Sequence, residues 1–378
     1  MKRTQLNYLR CIHCGDHLEY SNELKRVEIG DEIIHGGIRC LGCSTLFPII
    51  NGVGVFFEKP LFEALMTPAE KKILEMIGFH GRDDGNHTTA GDSEKLVRTV
   101  ENWSYQWNEV LRWKTADFDG DGFCGEKCFR AFIPIEAGSY RDKKVVIWCG
   151  GNGREAYHVA RSSPALIVVV EIGDEIYRIR NLFAPDANLL LLRCDMLKNP
   201  LKSRIADISI CDHALQHLSD HAKAAEMIAD VLVDEGVAGI CAYSYENNFL
   251  MTHVIEPMKC IFHALPLKLL RLVSSLPALV IYFLINFVYM PLGRYNVNLA
   301  RKIPLYDHMA FWSECDFKFI WTACFDLMHA PISYHFKKEE IEALAASNRL
   351  EIRKLVNTHG TTWSLVAVRT TGSQRREA

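Results

Sequence analysis

Four cysteines and a run of glycines are the residues of this 378-residue chain whose types and spacing could do chemistry. Cys11-Ile12-His13-Cys14 and Cys40-Leu41-Gly42-Cys43 are two knuckles separated by 25 residues. Each short loop can set two thiolates on one tetrahedral ion, and Gly15 and Gly42 let the loops turn around it. Four cysteines complete a structural zinc site with no open position for catalysis, and His13 and His17 are spare. The segments between the knuckles alternate like short strands, as in a ribbon too small to hold together without metal. Two disulfides are the other arrangement open to these thiols.

The second set begins at VVIWCGGNGREA, residues 145–156. An apolar run breaks into Gly150-Gly151-Asn152-Gly153, helix-forming residues follow, and a second apolar run, ALIVVV, ends in Glu171. Strand, glycine turn, helix, strand and terminal acid is the plan of a nucleotide-type cofactor site. The glycines let the backbone approach the ligand, and the acid accepts hydrogen bonds from ribose hydroxyls. The turn alone fits two cofactors. Gly151-x-Gly153-x-x-Ala156 followed by Glu171 also satisfies the NAD pattern, so the choice between NAD and S-adenosylmethionine (SAM) falls to the rest of the chain. His217 is the first candidate for a catalytic base; it can line a transfer cleft or cap a helix near Ser219-Asp220. His213 reads as structural.

The chain is 49% hydrophobic and 24% charged with net charge −3, enough to build a large core over roughly two to three domains. It has no basic bias, so no nucleic-acid partner is expected. MKRTQLNYLR at the start is basic but lacks an apolar stretch, so no secretory signal is expected. Thirteen cysteines are an odd number, and several (Cys149, Cys211, Cys241) sit in apolar runs. That suits free thiols in a reducing, cytoplasmic compartment.

The elements that would position these residues follow from periodicity. Predicted strands at 145–149, 166–171, 189–193, 207–211 and 237–243 alternate with helical stretches, the pattern of a mostly parallel α/β sheet. A last pair, near 350–357 and 362–369, flanks His359-Gly360-Thr361 and can form an antiparallel hairpin. That ending suits a class I methyltransferase better than a dehydrogenase. Upstream, TPAEKKILEMIGF predicts a helix with Thr67 as N-cap and Pro68 at its first position. Residues 79–95 read as a polar, mobile loop and 371–378 as a frayed tail. Trp103 and Trp107 lie four apart on one helical face, where they either pack on the main domain or wall a substrate cleft.

Three segments carry a family resemblance. LFPIINGVGVFF, after the second knuckle, resembles the small zinc-ribbon activators of tRNA and translation-factor methyltransferases through Phe47, Pro48, Ile49, Asn51, Gly52 and Val53. Residues 143–245 resemble the SAM-binding domain of class I methyltransferases of the type 11-like kind. Gly151 and Gly153 fall on its glycine loop, Glu171 on its ribose acid, and ADISICDHALQHLSD and LVDEGVAGICAYSYEN on its fourth- and fifth-strand segments. The resemblance implies that SAM is held by Gly150, Gly151, Gly153, Glu171 and Asp195, with Asp195 at the adenine amino group. Two positions depart from the pattern: Ile147 stands at the first-strand acid and Cys149 at the first loop glycine, which is expected to weaken contacts to the methionine end. Finally, CFDLMHAPISYHFKKEEIEAL resembles a run in bacterial methyltransferases of polysaccharide and natural-product clusters through Asp326, Pro331, His335, Glu339 and Glu340. That likeness implies Asp326 or His335 as cleft residues, His335 being the second candidate base, with capping and turn formation as their other roles.

Residues 272–292 form 21 positions without a formal charge, long enough to cross a bilayer as a helix, though Pro277, Asn286 and Pro291 would interrupt it. A single crossing would leave the strand near 237–243 and the terminal hairpin on opposite sides. A helical cap, buried or at the membrane surface, is therefore expected. Phe249, Met251 and Phe262 would line a greasy acceptor pocket.

The expected architecture is α/β: a Rossmann-like class I methyltransferase sheet with a terminal antiparallel hairpin, a small N-terminal zinc ribbon and a hydrophobic helical cap insert. The expected boundaries are 1–58 for the ribbon, 59–142 for a helical and loop entrance region, 143–245 for the SAM-binding core, 246–345 for the cap, and 346–378 for the hairpin and tail. The expected function is O- or N-methylation of a small or lipid-linked metabolite, a sugar among them, with peripheral membrane contact through 261–292. The alternatives are a catalytically weak SAM-binding or partner-docking protein, which Ile147 and Cys149 motivate, and an RNA methyltransferase that grips RNA through the ribbon. Oligomeric state is not legible in the sequence.

Overall fold

A computed structural model describes residues 1–80, 90–110, 118–120, 124–184, 187–331 and 333–371. Most of the loop expected at 79–95, and the tail after 371, lie outside them; the helix Ala90–Tyr105 takes up the end of that loop.

Twelve strands run through the described residues: β1 (Leu18–Ser21), β2 (Val27–Ile29), β3 (Glu32–Cys40), β4 (Leu46–Ile50), β5 (Val53–Phe56), β6 (Lys144–Trp148), β7 (Leu166–Glu171), β8 (Leu189–Cys194), β9 (Ala206–Asp212), β10 (Leu232–Tyr243), β11 (Leu350–Thr358) and β12 (Thr362–Arg369). They form one sheet in the order β1-β3-β4-β5-β8-β7-β6-β9-β10-β12-β11, with β2 added on β3. Strands β7 and β8 are buried at every position, because helices cover both faces of a parallel sheet. The chain winds outward from β6 to β8, then returns to place β9 and β10 on the other side of β6. The gap between the ends of β6 and β9 is the topological switch point, where open α/β sheets bind ligands. The terminal strands pair antiparallel, β10 with β12 and β12 with β11, as the hairpin expectation requires.

The cysteine ribbon is not a separate appendage. Its last strand, β5, pairs in parallel with β8 through Gly54↔Leu192, Val55↔Arg193 and Phe56↔Cys194, so its sheet runs on into the main sheet. The pairing covers an edge that would otherwise expose a row of unpaired backbone groups. A buried ion pair reinforces the junction. Arg193 of β8 contacts Glu70 and donates to the Leu65 carbonyl at 2.9 Å. Glu70 is also the third residue of the helix Pro68–Ile77; the predicted N-cap Thr67 accepts from its backbone N–H, and Glu70 completes a capping box.

The insert between β10 and β11 is helical. Its longest element runs from Leu267 to Tyr295, 29 residues, and Pro277 and Pro291 do not break it. A wide turn over Ile285–Tyr289 lies just before Pro291, where extra room in the backbone tolerates the missing N–H. One stripe of this helix, with Ala278 and Ile285, packs against Phe319, Ile320 and Cys324 of the helix Phe317–His329.

Candidate active site

The glycine turn leaves β6 at the switch point. Gly150 has no room for a side chain, since a Cβ there would sit 2.4 Å from Cγ1 of Val169. Gly153 has φ +86° and faces Leu182, so the turn into the helix Arg154–Ala160 needs glycine twice over. Cys149, at the position of the family's first glycine, also adopts a left-handed φ of +53°. It keeps the glycine conformation at a cost in backbone strain. Ile147 is buried in the core beneath the turn.

Glu171, at the end of β7, reaches back to this turn. One carboxylate oxygen accepts from the Gly151 N–H at 2.8 Å; the other accepts from Ile172 N–H at 2.7 Å and Gly173 N–H at 3.0 Å. Burial raises its pKa against the pull of those N–H groups. Asp195 follows β8, caps a short turn through the Leu197 N–H at 2.9 Å, and is likewise raised by burial. Glycine turn, Glu171 and Asp195 all line one cavity of about 660 Å³. The donor set suits SAM: a carboxylate has about four lone-pair sites, so Glu171 can accept a ribose hydroxyl beyond its three N–H bonds.

Beyond the cofactor end, the cavity wall is aromatic. Trp103 and Trp107 stack at 6.2 Å and both line the cavity, which makes them the cleft wall and not outer core packing. His217 lies 4.8 Å from Trp103 and 5.6 Å from Tyr243, ring to ring. The helix cap near it is supplied by Asp220, which accepts from the Lys223 N–H at 2.8 Å. His335 stacks on Tyr243 at 5.5 Å, and burial with nearby Lys259 lowers its pKa to about 4.

Asp326 is half-buried here, accepting from Gln106 Nε2 at 2.9 Å and from the Tyr243 hydroxyl at 3.3 Å, and desolvation raises its carboxyl. Gln106 in turn contacts His329. Glu340 instead serves the helix Lys338–Ser347, accepting from the Lys337 N–H at 2.7 Å. Gln106 and Tyr243 were not singled out from the sequence. Tyr243 ends a parallel strand at the ligand edge of the sheet, and Gln106 follows Trp103 by one helical turn; both signals were present.

His213, which the sequence reads as structural, also lines the cavity, its ring edge-on to Tyr243 at 5.9 Å. Its Nδ1 lies 2.6 Å from Asp212, and Asp212 also pairs with the buried Arg154, which contacts Glu155. Burial would raise Asp212, but Arg154 and His213 outweigh it and hold the carboxyl at about 2. This charged cluster ties the end of β9 to the helix after the glycine turn.

The insert supplies the far wall. Met251, Ile255, Met258, Phe262, Leu276 and Ile281 line the same cavity. Phe249 does not. It is 71% exposed, against the expectation that it would line the pocket; it starts the first helix of the insert, and its ring stacks on His253 at 4.4 Å.

The four ribbon cysteines place their sulfurs within 4.8 Å of one another, with Cys11 to Cys43 at 3.6 Å and Cys14 to Cys40 at 3.4 Å. Tetrahedral zinc with bonds of about 2.3 Å requires sulfurs about 3.8 Å apart, so the set fits that ion. Backbone N–H groups of His13 and Cys43 point at Cys11 and Cys40 sulfurs, at 3.4 and 3.5 Å, as they do around thiolates. All thirteen cysteines are free thiols, so the disulfide alternative is not adopted.

Residues 148–240 match the family described as a methyltransferase domain. Strand order, a glycine turn at the switch point and this match together define the class: a SAM-dependent methyltransferase. Solved structures similar to this chain include the complex between the Haloferax volcanii Trm112 methyltransferase activator and a methyltransferase, with 12% identity, TM-score 0.42, and coverage of 71% of this chain and 98% of that one. A SAM-dependent methyltransferase from Mesorhizobium loti has 11% identity, TM-score 0.41, and coverage of 66% and 99%. The Burkholderia thailandensis 1,6-didemethyltoxoflavin-N1-methyltransferase, with bound 1,6-didemethyltoxoflavin and S-adenosylhomocysteine, has 10% identity, TM-score 0.39, and coverage of 77% and 95%. No curated protein matches the chain.

Proposed function

We propose that this protein transfers a methyl group from SAM to an oxygen or nitrogen of a small or lipid-linked acceptor in the cytoplasm, a sugar headgroup being one such acceptor. The observation that supports it is the continuity of the cavity. From Glu171 and Asp195 it passes His217 and Tyr243 and ends among Met251, Met258, Phe262 and Ile281, so a polar reacting end and an apolar body can share it.

Bound SAM supplies an electrophilic methyl on a sulfonium, and the chain supplies position and a dry setting. Glu171 and Asp195 fix the nucleoside end, and the glycine turn admits it. Trp103 and Trp107 present ring faces, which favour a cationic group. Gln106, Tyr243 and Asp326 offer polar contacts to the acceptor. His217 is the proton acceptor for a hydroxyl or ammonium. His335 is the weaker candidate, because an imidazole held near 4 is poorly matched to neutral pH. The four cysteines hold one structural zinc.

The test is label transfer from tritiated SAM to lipid, sugar and RNA extracts, with SAM binding measured separately by calorimetry. Label in the lipid or sugar fraction is expected. Label in RNA alone would transfer the assignment to an RNA methyltransferase. SAM binding with label in none would leave a binding protein, the alternative that the strained Cys149 and the apolar Ile147 favour.

A further inference from the structure

The helix Leu267–Tyr295 buries one stripe and leaves the opposite one bare. Leu272, Leu276, Val280, Phe283 and Phe287 are 64, 64, 58, 56 and 71% exposed. Their spacing of four, four, three and four residues puts them on a single face. Soluble proteins rarely leave a contiguous apolar face of this kind uncovered. No charge interrupts it, since residues 272–292 carry none.

Charge gathers instead around it. Residues 249–302 contain six Lys or Arg against one acid, Glu256, in a chain whose total is −3. Lys259 is buried against Glu256 and Arg301 pairs with Asp307, so the cations that flank the helix are Lys268, Arg271, Arg294 and Lys302. Lys268 and Arg294 lie exposed near the two ends of the helix.

The cavity reaches this face as well. Leu276 is both 64% exposed and part of the cavity lining; Leu250 and Met258, 49 and 40% exposed, line it too. The mouth of the acceptor cavity therefore opens where the apolar face is bare.

We propose that this face docks on the surface of an anionic phospholipid bilayer, helix lying in the interface, so that a lipid-borne acceptor passes sideways from the bilayer into the cavity. A second copy of the chain is the less suitable occupant, because two such faces would bring like-charged segments together. The packing argues against a membrane span. The inner stripe is buried against the helix Phe317–His329, and β10 and β12, on either side of the insert, pair in one sheet. The docking stands without the acceptor assignment above; only what the bilayer delivers rests on it.

The experiment is co-sedimentation of the full chain with phosphatidylcholine vesicles, with and without phosphatidylglycerol. Wild type is expected in the pellet with the anionic vesicles and to be released by alkaline carbonate. The Phe283→Glu/Phe287→Glu variant is expected to partition at least about tenfold less, since two exposed aromatic rings no longer enter the interface. Its SAM affinity and melting temperature, being set elsewhere, serve as the folding control. A second pair, Leu272→Glu with Val280→Glu, repeats the test if the first fails that control.

Wild type remaining in the supernatant with both vesicles, or variants that sediment like wild type, overturns the proposal. So does a lipid-free dimer that the same substitutions dissolve, which would assign the face to a second copy. Resistance to carbonate overturns the interfacial orientation. Loss of SAM binding by wild type would count against the methyltransferase assignment alone, so the two failures are separable.

Discussion

Phe56, in the last strand of the cysteine ribbon, pairs with Cys194, the residue immediately before Asp195 at the cofactor cleft. The cysteine cluster and the cofactor cleft are thus joined by one continuous sheet. A parallel ladder of three residue pairs carries the connection, and the buried Arg193–Glu70 pair backs it. Removing one partner of such a pair strands a buried charge, so the junction resists piecemeal change.

One zinc per chain is expected through Cys11, Cys14, Cys40 and Cys43. Its removal should unfold residues 1–58 while SAM binding is weakened but kept, because β6, β7 and the glycine turn lie on the far side of β8. Metal analysis with circular dichroism checks this. A Cys40→Ser protein with unchanged zinc content would defeat it.

Glu171→Ala should weaken SAM binding by roughly 1.5–3 kcal/mol, the scale of a hydrogen bond to a charged group. Part of that loss comes from the Gly151, Ile172 and Gly173 N–H groups losing their acceptor. Calorimetry with SAM and with NAD gives the measurement, and NAD should show no binding. The reverse preference would leave the fold intact and the activity misassigned.

His217→Ala should lower the rate of methyl transfer by about 10²–10⁴-fold with SAM affinity unchanged, as expected for a base that acts only in the reaction. His335→Ala should cost less, since its stacking on Tyr243 is a packing contact. Single-turnover rates across pH separate the two; equal losses would remove His217 from the role.

Acid should loosen the cavity. Burial lowers His308 and His329 to about 3 and His335 to about 4, so the folded protein holds all three neutral. The unfolded chain protonates them near about 6.5. As pH falls from about 6.5 toward 4 the unfolded state binds the extra protons, and the stability present above that window is lost through it. Melting curves from pH 7 to 4 should show the decline. His335→Phe, which keeps a ring against Tyr243, should make it shallower; an identical slope would exclude His335 as a contributor.

The order of elements in the main sheet was legible because parallel strands buried on both faces leave unbroken apolar runs, and ALIVVV and LLLL can be nothing else once a glycine turn precedes them. The glycines announced themselves through conformations that other residues adopt only under strain. The four cysteines did so through spacing alone. Most strand ends moved by about one residue, because Gly, Pro and Asp mark where a pattern stops; β10 is the exception, beginning at Leu232 and not at 237.

What the sequence could not decide was every relation that depends on elements far apart in the chain. Nothing local to β5 says that it will pair with β8, more than 130 positions later; an exposed strand edge is a property of the assembled sheet. Trp103 and Trp107 read equally well as core or cleft, because helical spacing fixes which residues share a face but not what that face meets. Phe249 and Met251 are two residues apart and equally apolar, yet one faces solvent and the other the cavity. The hydrophobic insert shows this most plainly. Its composition would serve a span, a core helix or a cap, and only the packing of Ala278 and Ile285 on a neighbouring helix determines which stripe is buried and which is left bare. Periodicity and turn chemistry are written residue by residue, whereas burial is a property of the whole fold and is settled only when distant elements meet.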